Sequence, residues 1–226
     1  MRKAFFLLAW LSLAAGAQWH DVRRYGARGD GTTKDTAAIE KAIAAAAARG
    51  GTVLFPPGTY LCGTIRLKSN VALELAPGAV IAASPDEADF DRYETLPFQP
   101  VDDRETTYFH HALLLGDGVS DVVISGAGVI DGNRSRRGGP KPVAFKNSQR
   151  ITIRGVTVRN SPNYAISLLG CDHVNIEGVS VVNSYADGID PDCSRFVRIA
   201  NCYIDSHDDA ICPKASQALG QPRPTE

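Results

Sequence analysis

Three segments in the second half of the chain alternate apolar and polar residues at a fixed spacing. They begin at Ile151, Val174 and Val197, so each starts 23 residues after the previous one. A repeat of this length is typical of a solenoid, in which each unit buries its apolar face against its neighbours. The apolar positions are mostly β-branched, which favours short strands over helices. The pattern predicts an all-β chain folded as a parallel β-helix.

The first half of the chain predicts a capping helix followed by further strands. An alanine-rich segment with one apolar face predicts a helix from about Thr36 to Arg49, capped by Asp35 or a neighbouring threonine and ended by Gly50-Gly51. A solenoid needs such an element to cover the open end of its core. Strand-like runs follow at residues 52–60, which contain a Pro-Pro-Gly turn, and at 63–67, 70–75 and 79–83.

Two segments interrupt the strand pattern. Residues 84–107 are rich in acidic residues, proline and aromatics, and they predict a long loop that either contributes to a binding face or is simply solvated. A basic, glycine-rich insert carries Arg134, Arg136 and Arg137, which either attract an acidic polymer or form a mobile solvated loop. His110-His111 precedes the return to strands, where surface histidines are more common than catalytic ones.

The amino terminus predicts export. Met1-Arg2-Lys3, an apolar run and a small-residue site ending at Ala17 have the order of a signal peptide, and the apolar run is too short to span a bilayer. We expect a secreted or periplasmic protein with one β-helix domain over residues 18–226. The net charge of −1 and the lack of a basic stripe exclude a nucleic-acid partner on bulk charge.

The cysteines predict neither a zinc site nor a complete set of disulfides. None of the five has CxxC spacing, and an odd number leaves at least one thiol unpaired. Cys202 takes a core position of the repeat, so we expect it to be a buried thiol. The five are Cys62, Cys171, Cys193, Cys202 and Cys212.

The segment from Asn183 to Lys214 brings carboxylates to matching points of two successive repeats. Asp187-Gly188-Ile189 aligns with Asp209-Ala210-Ile211, with one residue fewer in the second repeat. Adjacent strands lie about 4.8 Å apart, so Asp187 and Asp209 should be neighbours, with Asp208 beside them. Carboxylates that close raise the pKa of at least one of the group. On the residues alone, these aspartates are equally well explained as turn residues, and we assign Asp190 and Asp192 to turn or structural positions.

Several blocks of the sequence resemble glycoside hydrolase family 28, the polygalacturonases and related pectin hydrolases of the pectate-lyase-like superfamily. The resemblance covers nearly all of the chain after residue 17, and it implies a right-handed parallel β-helix. The blocks, in order, are DVRRYGARGDGTTKDTAAIEKAIAAA, GGTVLFPPGTYLCG, GAGVIDGNR, NSPNYAISLLGC, ADGIDPDCS and DDAICPK.

The resemblance also implies a reaction and its catalytic residues. By analogy with the family, Asp208 would protonate the glycosidic oxygen of an α-1,4-galacturonide bond while Asp187 and Asp209 activate a water on the opposite face. Such inversion needs an acid and a base about 6.5 to 9.5 Å apart. The substrate would be pectic polysaccharide or oligogalacturonide, and we expect a monomer that needs no cofactor or metal and binds no membrane after signal cleavage.

Three further residues are expected to contact substrate. Lys214 matches the basic residue that often follows the Asp-Asp block, and it would steady the site or meet a substrate carboxylate. Tyr185 stands in the Tyr-Ala pair that replaces the usual Asn-Thr, and His207 replaces the usual glycine or glutamine before Asp-Asp. These departures leave the substrate subclass open.

Two alternatives from other functional classes remain. A pectate-lyase-type eliminase would bind Ca²⁺ with the clustered aspartates, and a β-helix adhesin or tailspike would bind carbohydrate without cleaving it. The family's Gly-His-Gly and Arg-Ile-Lys blocks do not occur before Glu226. We therefore expect the sequence to be the carboxylate-bearing piece of a longer enzyme, with little activity by itself. Pro213 should end or bulge the strand after Asp209.

Overall fold

The chain folds as a parallel β-helix in which three sheets run along the length of the solenoid. The structure is a computed structural model that describes residues 18–221 and 223–226, so the predicted signal peptide lies outside it. Within that part the strands are β1 (Gln18–Asp21), β2 (Asp30–Lys34), β3 (Gly51–Phe55), β4 (Gly58–Cys62), β5 (Ile65–Arg66), β6 (Val71–Leu75), β7 (Ala79–Ala83), β8 (Ala112–Asp117), β9 (Ser120–Gly126), β10 (Val129–Asp131), β11 (Lys141–Lys146), β12 (Gln149–Arg154), β13 (Thr157–Arg159), β14 (Ile166–Leu169), β15 (Asp172–Glu177), β16 (Ser180–Ser184), β17 (Ile189–Asp192), β18 (Arg195–Ala200) and β19 (Tyr203–Ser206). The α-helices are α1 (Thr36–Ala47) and α2 (Arg104–Thr107), and 3₁₀ turns span Val22–Tyr25 and Glu87–Asp89.

Each sheet takes one strand from successive rungs. Sheet A has the order β1-β3-β6-β9-β12-β15-β18, sheet B the order β19-β16-β13-β10-β7-β4-β2, and sheet C the order β17-β14-β11-β8-β5. The predicted repeat is confirmed, because Ile151 pairs with Val174 and Val174 pairs with Val197 in parallel register. Side chains of one inner column therefore stack directly. That column in sheet A consists of Val53, Leu73, Ile124, Ile153, Ile176 and Ile199.

The inward-facing residues form one continuous apolar core, which extends from α1 to β16 and the inner residues of β17. Burying an aliphatic side chain of this kind contributes about 1.5 to 3 kcal/mol relative to leaving it exposed. Inner residues of the last rung, such as Val197 and Ile199, are only partly buried, because no rung of the described chain lies over them.

Helix α1 packs against the first rungs, as predicted. Its apolar face contributes Ile39, Ala42, Ile43 and Ala46 to the core. The helix ends at Ala47, two residues before the predicted end. The predicted cap is wrong in its chemistry, since Asp35 occupies the N-cap position but makes no side-chain cap bond. Its carboxylate instead accepts the backbone N–H groups of Arg28 and Gly29 in the preceding turn.

Sheet C is buried on both faces, which is why β8 and β11 lack the alternation seen in sheets A and B. Its inner face joins the main core, and its outer face packs beneath residues 84–111 and the carboxyl-terminal segment. A separate cluster buries this outer face: Phe109, Ala112, Leu115, Ala144, Leu169, Cys193 and Ala218.

The loop between β7 and β8 is fastened to the outer face of sheet C by hydrogen bonds. Glu94 accepts the backbone N–H groups of Phe109 and His110 and is paired with Lys146 at 2.9 Å. At its far end, Asp102 accepts the backbone N–H of Gln217. The predicted loop therefore carries short helical turns and fixed contacts to sheet C.

Polar ladders mark the corners between sheets. Asn183 donates to Asn160 at 2.9 Å, and Asn160 in turn donates to Asp131 at 3.0 Å. On sheet A, a second ladder includes His173 and Phe196, whose rings stack with centroids 4.6 Å apart. The residues of this ladder have a left-handed backbone with φ near +55°: Asp121, Arg150, His173 and Phe196.

The five cysteines are free thiols in the described structure. The prediction that Cys202 is buried is wrong, because it is only half-buried at the edge of the last rung. Residues after β19 pair with β17 only through isolated bridges at Ile211 and Lys214, as expected from Pro213 between them. Neither described α-helix has the length and apolar character needed to cross a membrane.

Candidate active site

Sequence register places the predicted carboxylates on adjacent rungs. Gly188 donates its backbone N–H to Asp209 O at 2.8 Å, Ile189 donates to Ala210 O at 3.0 Å, and Ile189 forms a parallel bridge with Ile211. A Cβ on Gly188 would lie 2.6 Å from Ala210 O, so the backbones can approach this closely only at a glycine. The glycine after Asp187 is therefore required by the pairing that brings the carboxylates together.

The three predicted catalytic aspartates form one cluster. Asp187, Asp208 and Asp209 each present a carboxylate oxygen within 4.8 Å of the others. Asp187 is buried, whereas Asp208 and Asp209 are exposed. These oxygens are closer than the spacing of about 6.5 to 9.5 Å between acid and base in inverting glycosidases.

Lys214 pairs with Asp187 of this cluster and with a further carboxylate, Asp190. Its Nζ lies 3.1 Å from Asp187 Oδ2 and 2.6 Å from Asp190 Oδ2, and 4.0 Å from the centroid of the Tyr164 ring. Burial disfavours its ammonium, but the Asp190 carboxylate outweighs that effect and raises the pKa of Lys214 above its ordinary value. These ion pairs are the contacts expected if Lys214 steadies the site, and its contact with a substrate carboxylate stays a prediction.

Asp190 is a site residue that the sequence analysis missed. It lies in β17 and not in a turn, and only 2% of it is exposed. Its Oδ1 has no hydrogen-bond partner among the described residues. Burial raises the pKa of Asp190 to about 7, against the opposing effect of Lys214. The signal was the alternation itself, because Ile189 faces the core and the next residue must face outward.

The other aspartate assigned to a structural position, Asp192, does hold the backbone. Its Oδ1 accepts the N–H of Ser216 at 2.9 Å, and its Oδ2 accepts the Ser216 hydroxyl. It too lies in β17 and not in a turn.

The raised pKa of Asp190 predicts a pH-dependent contribution to stability. Aspartate in an unfolded chain titrates at about 3.9, whereas Asp190 titrates at about 7 in the fold. The folded state binds this proton more tightly, so the contribution is full below about pH 4 and is lost as the pH rises through about 7.

We expect the free energy of unfolding in urea of the wild type, relative to Asp190→Asn, to fall across that interval. Asp205→Asn, which removes an exposed carboxylate of β19, is the control. A difference in the free energy of unfolding between wild type and Asp190→Asn that does not change with pH would contradict the raised pKa of Asp190.

The basic insert also reaches the cluster, which local sequence patterns did not reveal. Arg137 donates from Nη1 to Asp208 Oδ2 at 2.9 Å, and its Nε and Nη2 donate to Glu105. Glu105 belongs to α2, so the arginine links the loop before β8 to the last rung. Through these ion pairs Arg137 holds the insert against α2 and Asp208, while the attraction of an acidic polymer to its arginines stays a prediction.

Lys141 holds the backbone of Glu105 in place. Its side chain is buried, and its Nζ donates to the backbone oxygens of Glu105 and Tyr108, the second at 3.0 Å. The Nζ also faces the rings of Phe109 and Tyr164 at 4.9 and 5.3 Å. Burial lowers the pKa of Lys141 to about 8. A single lysine before a proline gave no sequence signal for this role.

The predicted substrate contacts Tyr185 and His207 lie side by side. Their rings meet edge to face with centroids 4.9 Å apart, and His207 donates its backbone N–H to Ser184. Tyr185 also accepts a hydrogen bond from Asn183 Nδ2 at 3.2 Å. The two rings form an aromatic pair, and His207 directly precedes Asp208 in the sequence. In contrast, His110 and His111 are paired with Asp117 and Glu87 on the loop side of sheet C.

The clustered aspartates also have a donor set suited to a hard cation. Carboxylate oxygens of Asp187, Asp208 and Asp209 would be its ligands. Lys214 and Arg137 already bring positive charge to two of these carboxylates. The expectation that no metal is needed stays a prediction.

Comparison with known proteins relates the chain to pectin-degrading enzymes. The family described as "Glycosyl hydrolases family 28" matches residues 95–218, and "Rhamnogalacturonase A/epimerase, pectate lyase-like" matches residues 19–90. A probable polygalacturonase of Vitis vinifera is 29% identical over 211 residues, which cover 84% of this chain and 43% of the relative. An exo-poly-alpha-D-galacturonosidase of Dickeya chrysanthemi is 27% identical over 250 residues, which cover 84% of this chain and 41% of that enzyme.

A solved structure supports the fold. The family 28 exopolygalacturonase of Yersinia enterocolitica superimposes with a TM-score of 0.79 at 23% identity, covering 93% of this chain and 48% of that enzyme. The chain thus spans less than half the length of these relatives.

Proposed function

Because the chain belongs to glycosyl hydrolases family 28, we propose that the protein containing it hydrolyses α-1,4-galacturonide bonds of pectin. The observation that carries this proposal is the cluster of Asp187, Asp208 and Asp209 on adjacent rungs. Relatives described as a probable polygalacturonase and an exo-poly-alpha-D-galacturonosidase support the substrate class.

In the proposed mechanism, the exposed Asp208 donates a proton to the glycosidic oxygen as the bond to the sugar breaks. Asp187 and Asp209 accept a proton from the water that attacks the opposite face, which inverts the anomeric configuration. Lys214 offsets the repulsion between Asp187 and Asp190 and so keeps the base in place. For Asp208 to act, it must turn from Arg137 toward the substrate and leave room for the water.

The proposal extends to the setting of the enzyme. Its substrate is a pectic polysaccharide or an oligogalacturonide, it works as a monomer without a cofactor, and it is secreted or periplasmic. The charged signal-like amino terminus supports the localisation.

The test is an assay of the complete gene product that carries these residues, with polygalacturonate as substrate. We expect new reducing ends without new ultraviolet absorbance, turnover that persists in excess chelator, and a product whose anomeric proton shows inversion in early NMR spectra. Unsaturated, ultraviolet-absorbing products that require Ca²⁺ would instead identify the eliminase, for which the clustered carboxylates provide ligands. Binding without any cleavage would identify the adhesin-like alternative.

A further inference from the structure

A cavity of about 420 Å³ lies beside the candidate active site, between the β7–β8 loop with α2 and the basic insert. Its lining includes Glu105, the residue that holds Arg137 against Asp208. Through Glu105 and Arg137, one ion-paired network connects the cavity wall to the Asp208 carboxylate. Its volume is within the range of about 300 to 1,000 Å³ that is usual for small-molecule sites.

The cavity is cationic once its internal ion pairs are taken into account. Its two glutamates already have partners, since Glu87 is 3.0 Å from both Arg134 and His111 and Glu105 pairs with Arg137. The lining contains two arginines, Arg104 and Arg136, and across residues 18–221 and 223–226 neither is within ion-pair distance of a carboxylate.

Neighbouring groups of the cavity lining hold both arginines in place. The guanidinium of Arg104 lies 5.2 Å from the centroid of the Tyr93 ring, which keeps its planar fork at the cavity wall. Asn163, which also lines the cavity, donates to Gly139 O at 3.2 Å and so fixes the insert that carries Arg136. A guanidinium fork matches a carboxylate in two parallel hydrogen bonds, whereas a neutral sugar would leave both cations unpaired.

We propose that Arg104 and Arg136 form a carboxylate-binding subsite for a uronic acid unit of the polymer next to the sugars at the cleaved bond. This inference rests on the proposed function for its substrate class, and it assigns specificity to residues outside the catalytic cluster. Arg137 contacts both Glu105 of the cavity lining and Asp208, so it connects the subsite to the catalytic cluster.

The test compares an ionised ligand with its neutral ester. Binding of an oligogalacturonate and of its methyl ester is measured by calorimetry in the Asp208→Asn background, so that turnover does not consume the ligand. Arg104→Gln with Arg136→Gln should weaken binding of the ionised oligomer by about tenfold or more. Binding of the ester should change by less than about twofold, since it offers no charge to the arginines. Arg154→Gln, at an exposed arginine that ends β12, is the matched control.

The outcomes separate this inference from the proposed function. An unchanged preference for the ionised oligomer in the double variant would overturn the subsite even if the wild type releases reducing ends. Equal weakening for acid and ester would also overturn it, because the arginines would then act only on the shape of the cavity. If no pectic substrate is cleaved, a charge preference lost only in the double variant would still support the subsite.

Discussion

Asp208→Asn is expected to lower kcat on polygalacturonate by about 100- to 10,000-fold, the usual contribution of a general acid. The amide keeps the size of the side chain and can still accept the hydrogen bond from Arg137, but it has no acidic proton for the leaving oxygen. Asp208 is exposed, so the substitution should leave the free energy of unfolding within about 0.5 kcal/mol of the wild-type value. Initial rates of reducing-end release and a urea unfolding curve measure the two quantities.

Two controls isolate the acid role of Asp208. Asp205→Asn removes another exposed carboxylate, three residues earlier in β19, and should retain wild-type turnover. Asp208→Asn should lose much less activity on an aryl galacturonide, whose leaving group departs without protonation, than on the polymer. Intact turnover of every pectic substrate by Asp208→Asn would refute the proposed mechanism.

Lys214→Met is expected to destabilise the fold by about 3 to 5 kcal/mol, the cost of removing one partner from a buried ionic group. The substitution keeps most of the side-chain length but leaves the buried Asp187 and Asp190 without their shared cation. Their oxygens would then face each other across the space that the ammonium occupied. Urea unfolding gives the loss of stability, and kcat should fall as well because Asp187 loses its support.

A second substitution distinguishes lost charge balance from lost packing. Lys214→Met combined with Asp190→Asn removes the uncompensated carboxylate and should recover a large part of the lost stability. Lys68→Met, at an exposed lysine in the turn after β5, should change stability by less than about 0.5 kcal/mol. If the double variant were no more stable than Lys214→Met, the coupling between Lys214 and Asp190 would be refuted.

The architecture was predictable because a β-helix turns sequence distance into spatial contact. Ile151 and Val174 are one repeat apart, and that single number fixes their pairing in sheet A. The same reasoning placed Asp187 beside Asp209, because both precede isoleucines that pair across rungs. Wherever two residues are one rung apart in a regular repeat, the sequence carries their contact directly.

The rest of the site depends on contacts that the repeat does not encode. Arg137 and Asp208 are 71 positions apart and meet because an insert of irregular length folds back along sheet C. Lys141 meets Glu105 in a similar way, through a loop that departs from the rung pattern. The outward face of β17 could have been read from alternation, yet the burial of Asp190 required knowing what covers that face.

The inner column of sheet A also has a consequence for how such enzymes diversify. Val53 to Leu73, Leu73 to Ile124, Ile124 to Ile153 and Ile153 to Ile176 are all single rungs, although they span 20, 51, 29 and 23 residues. The stacking register is the same in each, so the extra residues leave the scaffold between strands and return to it without shifting any pair. Segments that build the cleft can therefore be lengthened, shortened or exchanged as modules while the carboxylates keep their positions on the rungs.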